Sequence, residues 1–138
     1  MNILDNRLFN AIEEEAKIYP RRRMSHDLRT QAMDEEPDWR DSSQRMLNVM
    51  MTDTVIPIHR HTASSETLIV LRGSGDEVTY DETGKETARV TLRAGSECVA
   101  VQVPRNVYHT FIPHEDGTTI FEAKDRPYDP ESTISLSK

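Results

Sequence analysis

Residues 59–73 read HRHTASSETLIVLRG, and this stretch carries the strongest structural signal in the chain. It begins with two histidines two positions apart, His59 and His61. Residues two apart in a β-strand point to the same face, about 6.6 Å apart along it, so two imidazoles at this spacing can bind one metal ion. Glu66 follows at the start of the next β-branched run. The stretch therefore predicts two strands and a turn that carry metal ligands on one face.

Short β-branched segments with turn signals between them continue through the rest of the chain after Gln44. Turns are marked by residues such as those in 81–85 (DETGK) and 104–106 (PRN). Strands at this spacing, with no helical pattern between them, predict an all-β double-sheet jelly roll. The eight predicted strands are Met46–Thr52, Val55–His61, Glu66–Arg72, Glu77–Asp81, Thr87–Arg93, Glu97–Val103, Val107–Pro113 and Thr118–Lys124.

One amphipathic helix is predicted ahead of the strands, over Leu4–Tyr19, because apolar residues recur there at helical spacing. Asp5 or Asn6 can cap its start, and Pro20 ends it. From there to about Ser43 the pattern dissolves into an irregular polar arm lying over the barrel. The predicted organisation is therefore 1–43 helix and arm, 44–124 barrel, and 125–138 irregular tail.

Composition excludes several function classes. The formal net charge of −7 argues against nucleic acid or an anionic membrane surface as a partner. No apolar run approaches the roughly 18 residues of a membrane-spanning helix, and Asp5 with Glu13–Glu15 interrupts any signal-peptide pattern. The single cysteine, Cys98, excludes an internal disulfide framework, and its apolar neighbours predict an inert buried thiol. We expect a cytoplasmic single-domain protein.

A third histidine, His109, lies in the middle of a predicted strand. Together with His59, His61 and Glu66 it gives four potential ligands from three strands that can point into one barrel. We therefore predict one divalent metal ion, and a six-coordinate ion would keep two open positions for an oxygenated ligand. This ligand set is compatible with Fe, Mn, Ni or Zn, and the sequence does not distinguish them.

Four further residues are candidates for contact with a substrate or for support of the ligands: Arg23, His26, Gln102 and Tyr108. The run 21–26 (RRRMSH) creates a local positive charge that suits an anionic ligand. The alternative is a solvated arm whose arginines pair with the acidic residues 34–38. An enzyme also needs a group that handles protons besides the metal ligands, and the candidates are His26, Tyr80, Tyr108 and Glu122.

The spacing of these residues resembles a known pattern. His59-Arg-His61, four residues, Glu66, six residues and Gly73 are similar to the first cupin motif, and 104–109 (PRNVYH) resembles the second. The second motif departs from the usual pattern, because Asn106 replaces a glycine and Pro113 replaces an asparagine. The resemblance implies a cupin double-stranded β-helix with the four ligands named above.

Residues 21–26 (RRRMSH), 44–48 (QRMLN), 121–124 (FEAK) and 128–130 (YDP) look like those of WbuC-type cupin-fold metalloproteins. This resemblance covers nearly the whole chain. It implies a metal-bearing barrel and the context of surface-polysaccharide (O-antigen) biosynthesis, because WbuC genes often lie in such clusters. It implies no particular reaction.

Two functional hypotheses follow. The first is a metal-dependent enzyme, such as a sugar isomerase, epimerase or oxygenase, acting on a sugar or other oxygenated small molecule. The alternative is a non-catalytic module whose metal helps to seat a carbohydrate, and a metal that only braces the barrel is a third possibility. The expected partner is an anionic or sugar-like small molecule. A homodimer is also expected, since cupins commonly pair through sheet edges.

Overall fold

The computed structural model describes residues 1–29, 38, 40–126 and 128–136. Within them, helix α1 spans Asn6–Ile18 and ten strands follow in chain order. Among the described residues, no helix has the length and apolar character needed to cross a membrane. The strands are β1 Arg23–Asp27, β2 Gln44–Met50, β3 His59–His61, β4 Glu66–Arg72, β5 Ser74–Tyr80, β6 Glu86–Arg93, β7 Ala100–Val103, β8 Tyr108–Pro113, β9 Thr118–Lys124 and β10 Thr133–Ser135.

The strands form two antiparallel sheets of five strands each. The order is β1-β2-β9-β4-β7 in the first sheet and β10-β3-β8-β5-β6 in the second. Residues that alternate along each strand face the space between the sheets, and the buried apolar ones among them form one core at one end of it. This confirms the predicted all-β architecture with one N-terminal helix. The core residues are Met50, Leu68, Val70, Leu92, Phe111 and Ile120.

Helix α1 packs on the outer face of the first sheet. Asp5 caps its N-terminus, since its carboxylate accepts a hydrogen bond of 3.1 Å from the backbone N–H of Leu8. Phe9 and Ile12 are buried against Leu47 and Val49 of β2. The apolar stripe therefore covers a sheet face that water would otherwise reach.

Two of the eight predicted strands have the observed bounds, and three of the others begin three or more residues away from the observed start. In the predicted Val55–His61 only His59–His61 is a strand. The segment before it is held by isolated hydrogen bonds: the Thr110 hydroxyl donates to the carbonyl oxygen of Ile56 at 2.7 Å, and the backbone N–H of Leu136 donates to that of Ile58 at 2.8 Å. The strand predicted at Glu77 already begins at Ser74, and Gly73 alone makes the turn, with φ +81°. The strand predicted at Glu97 begins at Ala100.

Two strands lie where the sequence predicted irregular structure. Arg23–Asp27 in the arm pairs with β2, and Thr133–Ser135 in the tail pairs with β3. Both segments are short and polar, so period-2 alternation of apolar residues could not reveal them. Each of them covers a strand that would otherwise be a bare sheet edge. Of the acidic residues in 34–38, the alternative partners of the arginines, only Asp38 lies within the described residues.

The prediction of a buried thiol was wrong, because Cys98 is exposed. The chain turns after Arg93, and the Ser96 hydroxyl lies 3.1 Å from the carbonyl oxygen of Cys98, to which it donates. The apolar run that predicted burial therefore begins as a strand only two residues later, at Ala100.

The packing of α1 leads to a testable prediction. Ile12→Ala leaves a cavity under the helix and is expected to lower the free energy of unfolding by about 2–4 kcal/mol in urea denaturation. Ile18→Ala, on the same helix but at a side chain that is 86% exposed, is the control and is expected to change it by less than about 0.5 kcal/mol. Equal losses in the two variants would contradict this docking of the helix.

Candidate metal centre

Three imidazoles meet between the two sheets. His59 and His61 share one face of β3, and His109 on β8 is paired in register with His59. The distances between ring centroids are 4.9 Å for His59 and His61, 4.5 Å for His59 and His109, and 5.5 Å for His61 and His109. Each ring offers one nitrogen to a group in which all such atoms lie within 4.8 Å of one another.

Backbone carbonyls fix the protonation of two of these rings. Nδ1 of His59 lies 2.8 Å from the carbonyl oxygen of Pro57, and Nδ1 of His109 lies 2.9 Å from that of Val107. A carbonyl oxygen only accepts, so each Nδ1 carries the proton and each Nε2 keeps a free lone pair. The third ring has a hydroxyl partner, because Nδ1 of His61 lies 3.3 Å from Oγ1 of Thr133 on β10.

Glu66 faces the Nε2 atoms of His61 and His109 from the first sheet. Its Oε2 lies 2.8 Å from Nε2 of His61, and its Oε1 lies 3.8 Å from Nε2 of His109. Neither contact has hydrogen-bond geometry, so among the described residues both buried nitrogens lack a hydrogen-bond partner. Buried polar atoms without partners cost folding free energy, and a cation between the two nitrogens and the carboxylate would satisfy all of them. The donor set of three imidazoles and one carboxylate therefore fits a divalent metal ion.

The protonation states agree with this fit. Burial, helped by the charges of His109 and His61, lowers the pKa of His59 to about 4. Burial acts to raise the pKa of Glu66, but its contacts with His109 and His61 outweigh this and hold that pKa below its ordinary value. At neutral pH His59 is therefore neutral and Glu66 ionised, and metal binding requires these forms of both groups.

The cluster opens into a cavity of about 990 Å³ between the sheets. Met46, Leu68 and Phe111 contribute apolar walls, and Arg23 and Lys124 contribute positive charge. The segments 19–25 and 53–57 line the side of the cavity next to the arm. The space is large enough for an organic molecule of sugar size beside the cluster.

The structure brings one of the two arm candidates to the cavity. Arg23 lines it, and its Nη1 lies 3.3 Å from Oγ1 of Thr54 and 3.2 Å from the carbonyl oxygen of Val55. His26 is exposed and paired with Leu47, whose side chain faces α1, so it lies on the other face of β1 and does not line the cavity. His26 was a candidate for contact with a substrate, and strand pairing directs it away from this cavity.

Gln102 and Tyr108 also lie outside the cavity. Gln102 is exposed and pairs with Thr67, the neighbour of Glu66, so it points to the outer face of the first sheet. Tyr108 precedes His109 on β8 and therefore points away from the cluster, with the guanidinium of Arg60 4.8 Å from its ring centre. Both were candidates for substrate contact, and strand parity excludes them from this site.

Sequence reasoning missed Glu77 and named Glu122 only as a candidate for proton handling. Both line the cavity. Burial, with the charges of Glu66 and Glu122, raises the pKa of Glu77 to about 9, and burial with the charge of Glu66 raises that of Glu122 to about 8. The only signal in the sequence was an acidic residue inside a predicted strand, and the parity that turns Glu77 inward depends on its pairing with β8.

One protein-family model matches this sequence. The model described as a domain of unknown function, DUF6016, matches residues 4–92, which include the helix, the arm and three of the four candidate ligands. The chain belongs to the DUF6016 family. No curated protein matches the sequence.

Solved structures show the fold of this DUF6016 chain. The capsular polysaccharide assembling protein CapF from Staphylococcus aureus is 18% identical, with a TM-score of 0.58 over 70% of the chain and 29% of CapF. Oxalate decarboxylase from Lactobacillus farciminis, in a formate complex, is 13% identical, with a TM-score of 0.63 over 86% of the chain and 32% of that enzyme. Oxalate decarboxylase from Bacillus subtilis is 16% identical, with a TM-score of 0.59 over 83% and 27%.

These neighbours are cupin-fold proteins, and the predicted cupin jelly roll is therefore confirmed. The chain spans less than a third of the length of each of them. At 13–18% identity the likeness shows the fold alone.

The buried carboxyl of Glu77 predicts a pH effect. Its pKa is raised from 4.5 to about 9, so the folded chain keeps a proton there that the unfolded chain loses. The contribution of Glu77 to stability therefore falls as the pH rises through the window from its ordinary pKa of 4.5 to its raised pKa of about 9. In metal-free protein we expect Glu77→Gln to be more stable than the wild type at the upper end, by about 1–3 kcal/mol.

The measurement is thermal or urea denaturation at both ends of the window, with the exposed Glu97→Gln as control. The difference between Glu77→Gln and the wild type is expected to grow with pH, whereas the control is expected to follow the wild type. A constant difference across the window would show that Glu77 is ionised in the folded protein.

Proposed function

We propose that this chain is a cupin-fold metalloprotein that binds one divalent metal ion through His59, His61, Glu66 and His109. One observation carries the proposal: the buried Nε2 atoms of His61 and His109 lack hydrogen-bond partners among the described residues and face the Glu66 carboxylate. When bound, such an ion acts as a Lewis acid and orients an oxygenated ligand at its open positions. Availability of Fe, Mn, Ni or Zn decides which ion is bound.

We further propose that the protein is an enzyme acting on a sugar or another oxygenated small molecule, by isomerisation, epimerisation or oxidation. The support is a sugar-sized cavity beside the cluster and a carboxyl group, Glu122, that lines it without being a proposed ligand. Glu122 can hold a proton near a bound molecule, which a purely structural metal site does not need. Arg23 and Lys124 give the cavity positive charge for an anionic group of the ligand.

The biological context is proposed from two resemblances. The motifs at 21–26, 44–48, 121–124 and 128–130 are similar to those of WbuC-type proteins of surface-polysaccharide clusters, and one structural neighbour is described as assembling capsular polysaccharide. We propose a role for this chain in surface-polysaccharide biosynthesis. We also propose a cytoplasmic homodimer, because β6, β7 and β10 are edge strands of the two sheets that the described residues form, and pairing between two chains covers such edges.

Removing one ligand tests the metal site. His61→Ala is expected to lower bound metal, measured by elemental analysis after loading with one equivalent of Mn²⁺ and desalting, to less than about a tenth of one ion per chain. Loss of a group that only supports a metal ligand already weakens binding by about 10–100-fold, so loss of the ligand itself is expected to cost at least as much. The far-ultraviolet circular dichroism of the variant is expected to stay that of the wild type.

The matched control is His26→Ala, which also removes an imidazole but lies outside the cavity. It is expected to keep one ion per chain. Full metal content in His61→Ala, or equal loss in both variants, would refute the proposed ligand set.

A further inference from the structure

Two carboxyl groups in the cavity take no part in the proposed metal binding: Glu77 on β5 and Glu122 on β9. Their depth follows from strand register. On β5, Thr79 pairs with His109, and Glu77 lies two residues further from the cluster, paired with Phe111 of the apolar core. Glu77 therefore lies one inward-facing row below the imidazoles, in the direction of the core.

Glu122 occupies the same row on the opposite sheet. On β9, Lys124 pairs with Glu66, and Glu122 lies two residues further, paired with Leu68 of the core. Two residues of a strand span about 6.6 Å, so each carboxyl group is carried about this far below the cluster. The two sheets thus present one carboxyl each at a single level between the candidate metal centre and the core.

The burial of Glu77 indicates that a ligand binds beside it, between the candidate metal centre and the core. Its side chain is 4% exposed, and neither carboxyl oxygen has a hydrogen-bond partner among the described residues. A buried polar group without a partner costs folding free energy, and an apolar side chain would pack at this position beside Phe111 at no such cost. Glu122 is half-buried, so its carboxyl group extends the same polar level into the cavity.

We propose that Glu77 and Glu122 form a carboxyl subsite that hydrogen-bonds the hydroxyl groups of a polyhydroxy acid whose carboxylate end binds at the metal. This inference rests on the proposed metal site. With carbon–carbon bonds of about 1.5 Å, the chain of a six-carbon sugar acid covers the distance between the cluster and the subsite, whereas a two-carbon acid does not. The subsite therefore selects longer sugar acids over short acids such as oxalate.

The raised pKa of Glu77 supports this assignment, because a protonated carboxyl both donates and accepts hydrogen bonds and does not repel an anionic ligand. The other charged groups that line the cavity are Glu66, Asp53, Lys124 and the three arginines 21–23, and its remaining titratable side chains are the three imidazoles, Tyr19 and Tyr128.

Gluconate and glycolate test the proposal, because both have an α-hydroxycarboxylate end and only gluconate has a hydroxylated chain. Both are titrated calorimetrically into wild-type protein loaded with one equivalent of Mn²⁺. We expect gluconate to bind at least tenfold more tightly than glycolate, about 1.4 kcal/mol. Equal affinities, or tighter binding of glycolate, would overturn the subsite and leave the metal site standing.

Variants of Glu77 and Glu122 then test whether these two carboxyl groups cause the preference for gluconate over glycolate. Glu77→Leu and Glu122→Leu are each expected to reduce the preference for gluconate at least fivefold and to leave metal content and glycolate affinity unchanged. Glu77→Gln keeps hydrogen-bonding atoms and is expected to stay within threefold of the wild type. The exposed Glu97→Leu is the control. An unchanged preference in Glu122→Leu and in a folded Glu77→Leu would overturn the proposal.

Other outcomes separate this proposal from the one on which it rests. If the wild type binds no metal, the metal site fails and the subsite fails with it. If it binds metal but neither acid, the metal site stands and the subsite is overturned. If Glu77→Leu fails to fold, judged by circular dichroism, Glu122→Leu and Glu77→Gln decide.

Discussion

The direction of the imidazole lone pairs is the constraint on which the site depends. Backbone carbonyls of Pro57 and Val107 accept the Nδ1–H groups of His59 and His109, so the Nε2 atoms have no proton to give to Glu66. A buried carboxylate opposite such atoms is favourable only with a cation between them. Without an ion, these buried polar groups therefore lower the stability of the barrel, and a bound divalent ion would make their arrangement favourable.

Strand pairing decides which polar residues share this arrangement. β3 is only three residues long, but its place between β10 and β8 sets His59 opposite His109 and brings the Thr133 hydroxyl to His61. On the other sheet, β1 turns Arg23 into the cavity and His26 away from it. The arm and the tail therefore take part in building the cavity wall, which explains why two polar segments pair as strands at the outer sides of the sheets.

The sequence predicted those parts of the molecule that local periodicity and spacing determine. The helical stripe, most strand positions and the grouping of His59, His61, Glu66 and His109 all follow from residues close together in the chain or from a motif of fixed spacing. The sequence could not assign Gln102, Tyr108 and His26 to a face of the sheet. Alternation along a strand separates its residues into two faces, and only the pairing with a neighbouring strand decides which face is inside. Glu77 was missed for the same reason, and Cys98 was misplaced because a turn interrupts its apolar run.

A crystal structure of the metal-loaded protein shows directly whether these four side chains together bind one metal ion, when anomalous scattering is recorded at the absorption edge of the added metal. We expect one strong anomalous peak, at about 2.1 Å from one nitrogen of each of His59, His61 and His109, with a Glu66 oxygen also bound. A peak elsewhere, or one bound by fewer than three of these imidazoles, would contradict this expectation.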